Sequence, residues 1–285
     1  MKTIKYFITI VSLNTFQIFS LILNPSLRSI LGKLIGQLFF YVLKKRKEVA
    51  YLQLKKSFPK KTNKEIIEIL KKTHTHFGQM FLDVLCSQKI IKNENIKIIN
   101  EEILLSLKSN NQGFILLTGH LGNWEIIPAW MSKNKFNVKT VTQNQKNKGA
   151  QFFFNNLRKQ NDINPVSIHY SSNKMINFLK NGNTLVLASD QDAGEKGEFI
   201  NFFGRKASTP RGASVFYKKT KCKVIAAFCL KKKFKYSIEF IIIEPNKNYT
   251  SIMHQFTELL EKKIKGEPHQ YLWFHRRWKT KNEKY

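Results

Sequence analysis

Residues 114–125, Phe-Ile-Leu-Leu-Thr-Gly-His-Leu-Gly-Asn-Trp-Glu, join a short apolar run to a polar segment that holds two glycines. The run 114–118 has the length and composition of a buried strand. Gly119 and Gly122 allow a tight turn, with Glu125 expected in the first turn of a following helix. The stretch therefore predicts a strand, a turn and a helix, which together form a unit of an α/β fold.

Downstream of this unit, short apolar runs alternate with segments of helical length. Strands are predicted at 138–142, 166–168, 184–188 and 224–228, and helices at 148–160 and 172–181. Residues 234–243 partly alternate in polarity and are expected to pair antiparallel with 224–230. We therefore predict a single α/β domain with a central, mostly parallel but mixed sheet flanked by helices.

Upstream, residues 48–90 have a helical pattern that is interrupted at Pro59. Thr62 is followed three positions later by Glu65, which is the spacing of a helix N-terminal cap. A second long helix is therefore expected to begin near Thr62.

The N-terminal segment is apolar, because the 22 residues between Lys5 and Arg28 carry no charge. Residues 6–23 are just long enough to cross a bilayer. Polar residues recur within them at a spacing near three, however, as on a helix that lies in the membrane interface. The sequence leaves a single-pass helix and an interfacial helix both open.

A second apolar stretch, 31–43, contains three aromatic residues and runs into the cationic cluster 44–47, Lys-Lys-Arg-Lys. Aromatic side chains beside cations are typical of segments that bind an anionic membrane surface. A buried helix followed by solvated charges would give the same sequence pattern. We expect residues 1–45 to form the membrane anchor or interfacial helices and residues 46–285 the remaining domain. Cations that follow the anchor place that domain in the cytosol.

The charge balance is strongly basic, with 49 Lys and Arg against 19 Asp and Glu and a net charge of +30. Hydrophobic residues make up 42% of the chain, which excludes a charge-driven disordered protein. A field of this size favours a nucleic acid, an anionic membrane or an acidic protein as partner, and a genome rich in Lys codons would produce it too. Only seven of the cations are Arg, the residue suited to bidentate contacts.

His120 and Glu125 are the candidates for chemistry in the turn after the first strand. If Glu125 reaches back to the imidazole, it fixes the tautomer and leaves the other ring nitrogen free to accept a proton from a hydroxyl. The carboxyl ends of strands are also where open α/β sheets bind ligands. The alternative is a structural histidine followed by a Glu that favours the helix dipole.

Four ordered motifs resemble those of the bacterial lipid A biosynthesis acyltransferases, the lauroyl/myristoyl transferase family. The turn is similar to the family's His-x4-Asp/Glu motif, and 46–59 is similar to an Arg…Asn-Leu…Phe-Pro stretch, with Gln53 where Asn is usual. The segments with the remaining similarity are 189–192 with 201–204 and 209–212, and 270–278, Gln-Tyr-Leu-Trp-Phe-His-Arg-Arg-Trp.

The resemblance implies transfer of a fatty acyl chain from acyl carrier protein to a hydroxyl of a lipid A precursor, at the cytoplasmic face of the inner membrane. His120 would be the general base and Glu125 its orienting carboxylate, with no covalent enzyme intermediate, no cofactor and no metal. The expected partners are acyl carrier protein, the lipid A precursor and the anionic membrane, and no specific nucleic acid. The alternatives are another phospho- or glycolipid acceptor, or a basic protein that binds nucleic acid or a membrane surface.

The resemblance also suggests substrate-binding residues outside the turn. Arg158 matches the family's Arg after the motif and would steady an oxyanion or bind a phosphate, unless it is a surface helix residue. Asp190 and Gln191 end a predicted strand and would orient Arg158 or an acceptor hydroxyl. Arg205 and Arg211 flank a Gly-rich loop and would bind a phosphosugar headgroup, unless they are simply solvent-exposed. His275 is expected to pack or to contact the membrane, with a second catalytic histidine as the alternative, and Arg276 and Arg277 would meet phosphates. Phe152–Phe154 or the N-terminal helices would line an acyl slot, unless these aromatic residues belong to the core.

Overall fold

The computed structural model describes residues 2–93, 96–244 and 251–281. The α-helices are α1 (Lys2–Ile22), α2 (Pro25–Val42), α3 (Lys44–Ser57), α4 (Asn63–Leu85), α5 (Ser87–Asn93), α6 (Glu101–Ser109), α7 (Ile126–Lys133), α8 (Lys148–Gln160), α9 (Ser172–Lys180), α10 (Gly212–Thr220) and α11 (Ile252–Gly266). The strands are β1 (Lys97–Ile99), β2 (Phe114–Thr118), β3 (Val138–Thr142), β4 (Asn164–Ser167), β5 (Thr184–Ala188), β6 (Glu198–Phe202), β7 (Arg205–Thr209), β8 (Lys223–Lys232) and β9 (Lys235–Ile243).

Seven strands form one sheet in the order β1-β9-β8-β2-β5-β3-β4. All neighbouring pairs are parallel except β8 with β9, which pair antiparallel as predicted. All five side chains of the central strand β2 are buried, which fits its continuous apolar run. The predicted fold class, a mostly parallel mixed sheet flanked by helices, is confirmed.

The apolar faces of the sheet are covered on both sides by helices. One core cluster joins alternate β2 residues such as Ile115 and Leu117 to α10 and α11, and a second joins Phe114 and Leu116 to α7. Alternation along β2 divides its side chains between the two cores, as the pleat requires. Because the helices cover the two faces of the sheet, its carboxyl edge is covered by loops.

Two local predictions upstream of the sheet are also confirmed. Thr62 and Glu65 form a reciprocal capping box at the start of α4, with the Glu65 carboxylate accepting from the Thr62 amide at 2.8 Å. The three hydrogen bonds that reach Glu65 lower the pKa of its carboxyl to about 2. The predicted interruption near Pro59 separates α3 from α4.

The segment after β5, expected as a Gly-rich loop, is a two-stranded hairpin instead. Strands β6 and β7 are joined by Phe203 and Gly204, whose φ angles are both positive, at 51° and 73°. Two consecutive positive φ values are characteristic of a tight hairpin turn whose twist matches the strands. Phe202 stacks on the buried Trp278 at 5.6 Å, so aromatic packing fixes the hairpin against the C-terminal segment.

Helix α2 lies in backbone contact with α4 through three glycines. A Cβ at Gly32 would come within 2.5 Å of the Gln79 Cα, and Cβ atoms at Gly36 or Gly78 would overlap backbone of the opposite helix. Arg28 of α2 donates to Asp83 of α4 at 2.7 Å, and both side chains are buried. Removing one partner of such a buried pair typically costs about 3–5 kcal/mol.

Helix α1 packs on α8 and α4 along one face and is exposed along the other. Its Thr9 hydroxyl accepts from Asn147 at 2.9 Å, and its Phe16 ring contacts Phe81. Residues Thr3–Ile22 form a helix long and apolar enough to cross a membrane. Helices α2 and α3 are long and apolar enough for this only when taken together, and they are bent by 93° relative to each other. Large apolar side chains of α1 and α2 that are exposed include Ile4, Phe7, Ile8, Ile18, Phe19, Ile22, Ile30, Leu34, Leu38 and Val42.

Candidate active site

The predicted motif occupies the connection between β2 and α7. Gly122 has a φ of +64°, and a Cβ there would overlap the carbonyl oxygen of Cys229. The Asn123 amide donates to that same oxygen at 2.9 Å. Glycine is therefore required at position 122 both for the left-handed backbone and for the close approach to β8.

The C-terminal segment holds the other side of this turn. Leu121 pairs antiparallel with Tyr271, the Gly122 amide donates to Gln270 at 2.9 Å, and the Leu272 amide donates to the His120 carbonyl at 3.0 Å. The turn thus lies between β8 and a short added strand. Residues 119–125 are fixed by backbone hydrogen bonds on both sides, although the two partners lie more than 100 residues away in sequence.

The carboxylate that binds His120 belongs to Asp190. Its Oδ1 lies 2.6 Å from the imidazole Nδ1, and its Oδ2 accepts from the His120 backbone amide at 2.9 Å. The parallel register places Thr118 opposite Ala188 at the ends of β2 and β5. His120 and Asp190 each lie two positions beyond these strand ends, so they meet at the same edge of the sheet. The sequence predicts Glu125 at this position, whereas in the structure the carboxylate in contact with the imidazole is that of Asp190.

Asp190 also raises the pKa of His120. Burial disfavours the imidazolium, but the charge of Asp190 and its hydrogen bond outweigh that penalty, with a smaller contribution from Glu125. The same pairing lowers the pKa of Asp190, although burial alone would raise it. Asp190 therefore remains the anion, and His120 donates its Nδ1 proton to it; in the neutral ring the lone pair is then on Nε2.

The second ring nitrogen, Nε2, is then an acceptor on the wall of a cavity. The side-chain amide of Gln191 donates to it at 3.2 Å. The ring of Trp124 packs edge-on against the imidazole, with centroids 4.6 Å apart. The His120 side chain is 18% exposed, so a ligand in the cavity can reach Nε2.

Glu125 binds Arg158 instead of His120. The Arg158 Nε lies 3.1 Å from Oε2 and its Nη2 2.5 Å from Oε1, a bidentate pair between the start of α7 and helix α8. Burial opposes the guanidinium charge, but Glu125 outweighs it and raises the pKa of Arg158. Both side chains are mostly buried and line the cavity, so Arg158 is not a surface helix residue.

The cavity has a volume of about 790 Å³ and opens at the carboxyl ends of β2, β3 and β5. One wall carries His120, Glu125, Arg158 and Gln191. The rest of the lining is mixed. Its apolar side chains are Pro128, Val141, Ile168, Met175, Val186, Leu187, Val215 and Phe216, and its polar side chains include Thr140, Thr142, Gln143, Asn144, Gln145 and Gln151. Phe152–Phe154 do not line this cavity. Phe152 is exposed, and Phe153 is buried between α1, α4 and α8.

The two arginines around the hairpin have different surroundings. Arg205 stacks on the Trp278 ring at 3.5 Å and donates to the Ser57 hydroxyl at 3.3 Å, so it packs the hairpin. Arg211 is exposed, directly between Pro210 and Gly212, which both line the cavity. Of the two, only Arg211 has the exposure that a headgroup contact requires.

The C-terminal motif packs and positions other elements. Arg277 is buried, with its guanidinium on the Ser208 carbonyl and the Thr209 hydroxyl, so it does not have the exposed position expected for a phosphate contact. His275 accepts from the Asp192 amide at 3.1 Å, and burial lowers its pKa to about 4. The structure therefore agrees with a packing role for His275.

Gln53 connects α3 to this motif. Its amide donates to the carbonyls of Trp273 and His275, at 2.5 and 2.7 Å, and its oxygen accepts from the Arg277 amide at 2.9 Å. Sequence reasoning marked the residue only as a departure from Asn. The similarity of both segments to one family was the available signal that they belong together.

In the described ranges 2–93, 96–244 and 251–281, no group of three or more His, Cys, Asp or Glu side chains is placed to hold a metal ion. The site consists of a carboxylate-bound histidine, a bidentate Glu–Arg pair and a cavity with both polar and apolar lining at the carboxyl edge of an α/β sheet. This arrangement defines the class of α/β proteins that can activate a hydroxyl group by a histidine base.

The chain belongs to the bacterial lipid A biosynthesis acyltransferase family, whose sequence model matches residues 1–280. It is 29% identical over 113 residues to the lipid A biosynthesis palmitoleoyltransferase of Escherichia coli (strain K12), and this region covers 38% of the chain and 37% of that relative. The same identity and coverage relate it to a lipid A biosynthesis acyltransferase of Shigella flexneri. The matched region thus spans little more than a third of these curated relatives, and the predicted family is confirmed.

Proposed function

We propose that this protein transfers a fatty acyl chain from an acyl carrier protein thioester to a hydroxyl of a lipid A precursor. The observation that carries the proposal is the orientation of His120. Asp190 fixes Nδ1 as the donor, so Nε2 is the basic nitrogen and lies on the cavity wall. Family membership supplies the class of acceptor.

In the proposed reaction, Nε2 of His120 takes the proton of the acceptor hydroxyl as its oxygen attacks the thioester carbonyl. The imidazolium that forms is stabilised by Asp190. Collapse of the tetrahedral intermediate forms the ester and breaks the carbon–sulfur bond, and the thiolate leaves with the proton from Nε2. The acyl group passes directly to the acceptor without an acyl-enzyme.

Arg158 provides the positive charge in this site. Its guanidinium would stabilise the oxyanion or bind a phosphate, and the bidentate contact with Glu125 holds the guanidinium plane in place. In this proposal Glu125 acts through Arg158. Asp190 takes the orienting role that the sequence assigned to Glu125.

The cavity offers an acyl chain the apolar surface that it needs. Its apolar lining includes Met175, Val215 and Phe216, and polar side chains such as Gln143 and Gln151 line it as well. Arg211, exposed between two residues that line the cavity, would contact a phosphate of the acceptor. The proposed substrate-binding residues are therefore Arg158, Gln191 and Arg211. Asp190 is proposed instead to orient the catalytic base, His120.

The exposed apolar face of α1 and α2 would seat the protein on the inner membrane. Cations at 44–47 follow that face and would contact anionic headgroups on the cytoplasmic side. Helix α2 is bound to α4 over its length, which favours an interfacial position for α2. We propose residues 1–45 as the membrane-binding part and the rest of the chain as the catalytic part.

The test is transfer by the purified protein in detergent, with acyl carrier protein thioesters and a lipid A precursor, followed by mass spectrometry of the lipid. The wild type should add one acyl chain, and His120→Ala should lower the rate by about 10²–10⁴-fold. His169→Ala, at an exposed histidine, is the matched control. Transfer that survives in His120→Ala would overturn the mechanism, and acylation only of another phospho- or glycolipid would overturn the acceptor.

A further inference from the structure

Gln191 occupies the position that a reacting hydroxyl must take. Its amide nitrogen lies 3.2 Å from Nε2 of His120. Because Nδ1 donates to Asp190, Nε2 carries the lone pair of the neutral ring. The side-chain amide of Gln191 donates a hydrogen bond to this lone pair. In the free protein the catalytic base is therefore already hydrogen-bonded, and a proton donor has to displace Gln191 before it can react.

Displacement discriminates between possible acceptors of the acyl chain. When a water molecule replaces Gln191, the hydrogen bond from Gln191 to Nε2 is broken and one from water to Nε2 is formed. Water makes no further contacts that would favour this replacement. A large acceptor makes additional contacts in the cavity and at its rim, and these can be used to drive the amide aside. The cavity of about 790 Å³ is far larger than one water molecule, so water would be a competing nucleophile once a thioester is bound.

We propose that Gln191 is a specificity-determining residue that protects the thioester from water by occupying the base until the lipid acceptor displaces it. The inference rests on the proposed acyl transfer and deepens it. The reaction that Gln191 suppresses is hydrolysis, in which water adds to the thioester carbonyl, the carbon–sulfur bond breaks, and free fatty acid and free thiol are released. No oxidant, reductant or further reactant is required.

The position of Gln191 suits this role. It follows Asp190 directly at the end of β5 and precedes Asp192, whose carboxylate accepts from Thr280 and from the Gly194 amide. The backbone on both sides is thus held, while the Gln191 side chain is only partly buried and lines the cavity. The side chain can move while the carboxylate that orients His120 stays in place.

The experiment measures release of thiol from an acyl carrier protein thioester without any acceptor, for the wild type, Gln191→Ala and Gln191→Asn. Asn is shorter by one carbon–carbon bond, about 1.5 Å, and cannot reach Nε2 from the same backbone. Both variants should hydrolyse the thioester about two- to tenfold faster than the wild type, the range given by one net hydrogen bond. With acceptor present, the ratio of hydrolysis to transfer should rise by a similar factor.

Gln112→Ala is the matched control, because Gln112 is exposed beyond the amino end of β2, at the opposite edge of the sheet from His120. Thermal melting of each variant checks folding. If hydrolysis and transfer fall together in folded Gln191 variants, Gln191 only binds substrate and the inference is wrong. If the wild type neither transfers nor hydrolyses, the proposed function fails instead, so the two failures are distinguishable.

Discussion

Asp190 holds His120 at two points, through the imidazole Nδ1 at 2.6 Å and through the backbone amide at 2.9 Å. The first contact sets the tautomer, and the second fixes the main chain that carries the ring. Asp190→Asn keeps the shape of the side chain but removes its charge. If the Asn amide donates to Nδ1, the ring proton is on Nε2, which can then no longer act as the base. We expect kcat for acyl transfer to fall by about 10²–10⁴-fold.

The control for this variant is Asp162→Asn, since Asp162 is exposed beyond the end of α8 and has the positive φ that Asn tolerates. Circular dichroism should show both variants folded. A folded Asp190→Asn protein with wild-type kcat would remove Asp190 from the mechanism.

The pH dependence of the rate should report the same pair. Acyl transfer needs neutral His120, so the rate rises with pH as the imidazolium loses its proton. Because Asp190 raises the pKa of His120, the acidic limb of kcat/KM should lie above pH 6.5, the ordinary value for histidine. In Asp190→Asn, burial is no longer offset by the adjacent anion, and the limb should move to lower pH.

The Glu125–Arg158 pair should behave as one unit in a double-mutant cycle. Arg158→Lys loses the bidentate fork and should lower kcat by about 10²-fold, and Glu125→Gln should lower it by about tenfold. The double variant should lose less than the product of the two effects. Lys159→Ala, at the exposed neighbour of Arg158, is the control.

The cycle also separates the two roles considered for Glu125. A carboxylate that oriented His120 would, on removal, shift the acidic limb as far as Asp190→Asn does. We expect a smaller shift for Glu125→Gln, because Glu125 reaches the imidazole only through its charge. An equal shift in both variants would restore the sequence-based assignment.

Part of this site could be predicted from sequence because its signals are local. The buried strand, the glycines and His120 all lie within 114–125, and the helix pattern after them is regular. The carboxylate on His120 could not be assigned in the same way, since Asp190 arrives through the pairing of β2 with β5. Nearness along the chain favoured Glu125, and tertiary geometry favours Asp190.

The hairpin of β6 and β7 was missed for a different reason. Its strands alternate in polarity only weakly, and the turn places Phe203 at a positive φ that a phenylalanine rarely adopts. Buried packing of Phe202 and Phe203 against Trp273 and Trp278 compensates for the local strain. The aromatic partners lie 70 and 76 positions downstream, so no local sequence pattern predicts this compensation.

Gly122 and Gly204 offer a matched test of the turn, because both have positive φ and only Gly122 lacks space for a Cβ. Gly204→Ala should lower the free energy of unfolding by about 1–2 kcal/mol. Gly122→Ala adds a clash with Cys229 and should cost about 2–5 kcal/mol. Urea unfolding measures both, and equal losses would mean that the turn can move away from β8.

The proposed membrane face can be tested with vesicles of phosphatidylethanolamine and phosphatidylglycerol. Phe7 is 67% exposed on α1 and Leu38 58% exposed on α2, so Phe7→Glu and Leu38→Glu should each weaken sedimentation with vesicles by about tenfold or more. Phe234→Glu, at a residue 51% exposed on the β8–β9 turn, is the control. Losses of the same size in all three would contradict a specific face.

The glycine contacts between α2 and α4 have a geometric consequence for such a protein. Two helices that touch through Gly32, Gly36 and Gly78 cannot slide along each other without backbone overlap, and they cannot spread without losing this contact. On a membrane, the height of the cavity mouth above the lipid plane would then be set by the fold, because α2 is held against α4 by backbone contact. An acceptor would then be selected partly by how far its reactive hydroxyl stands out from that plane.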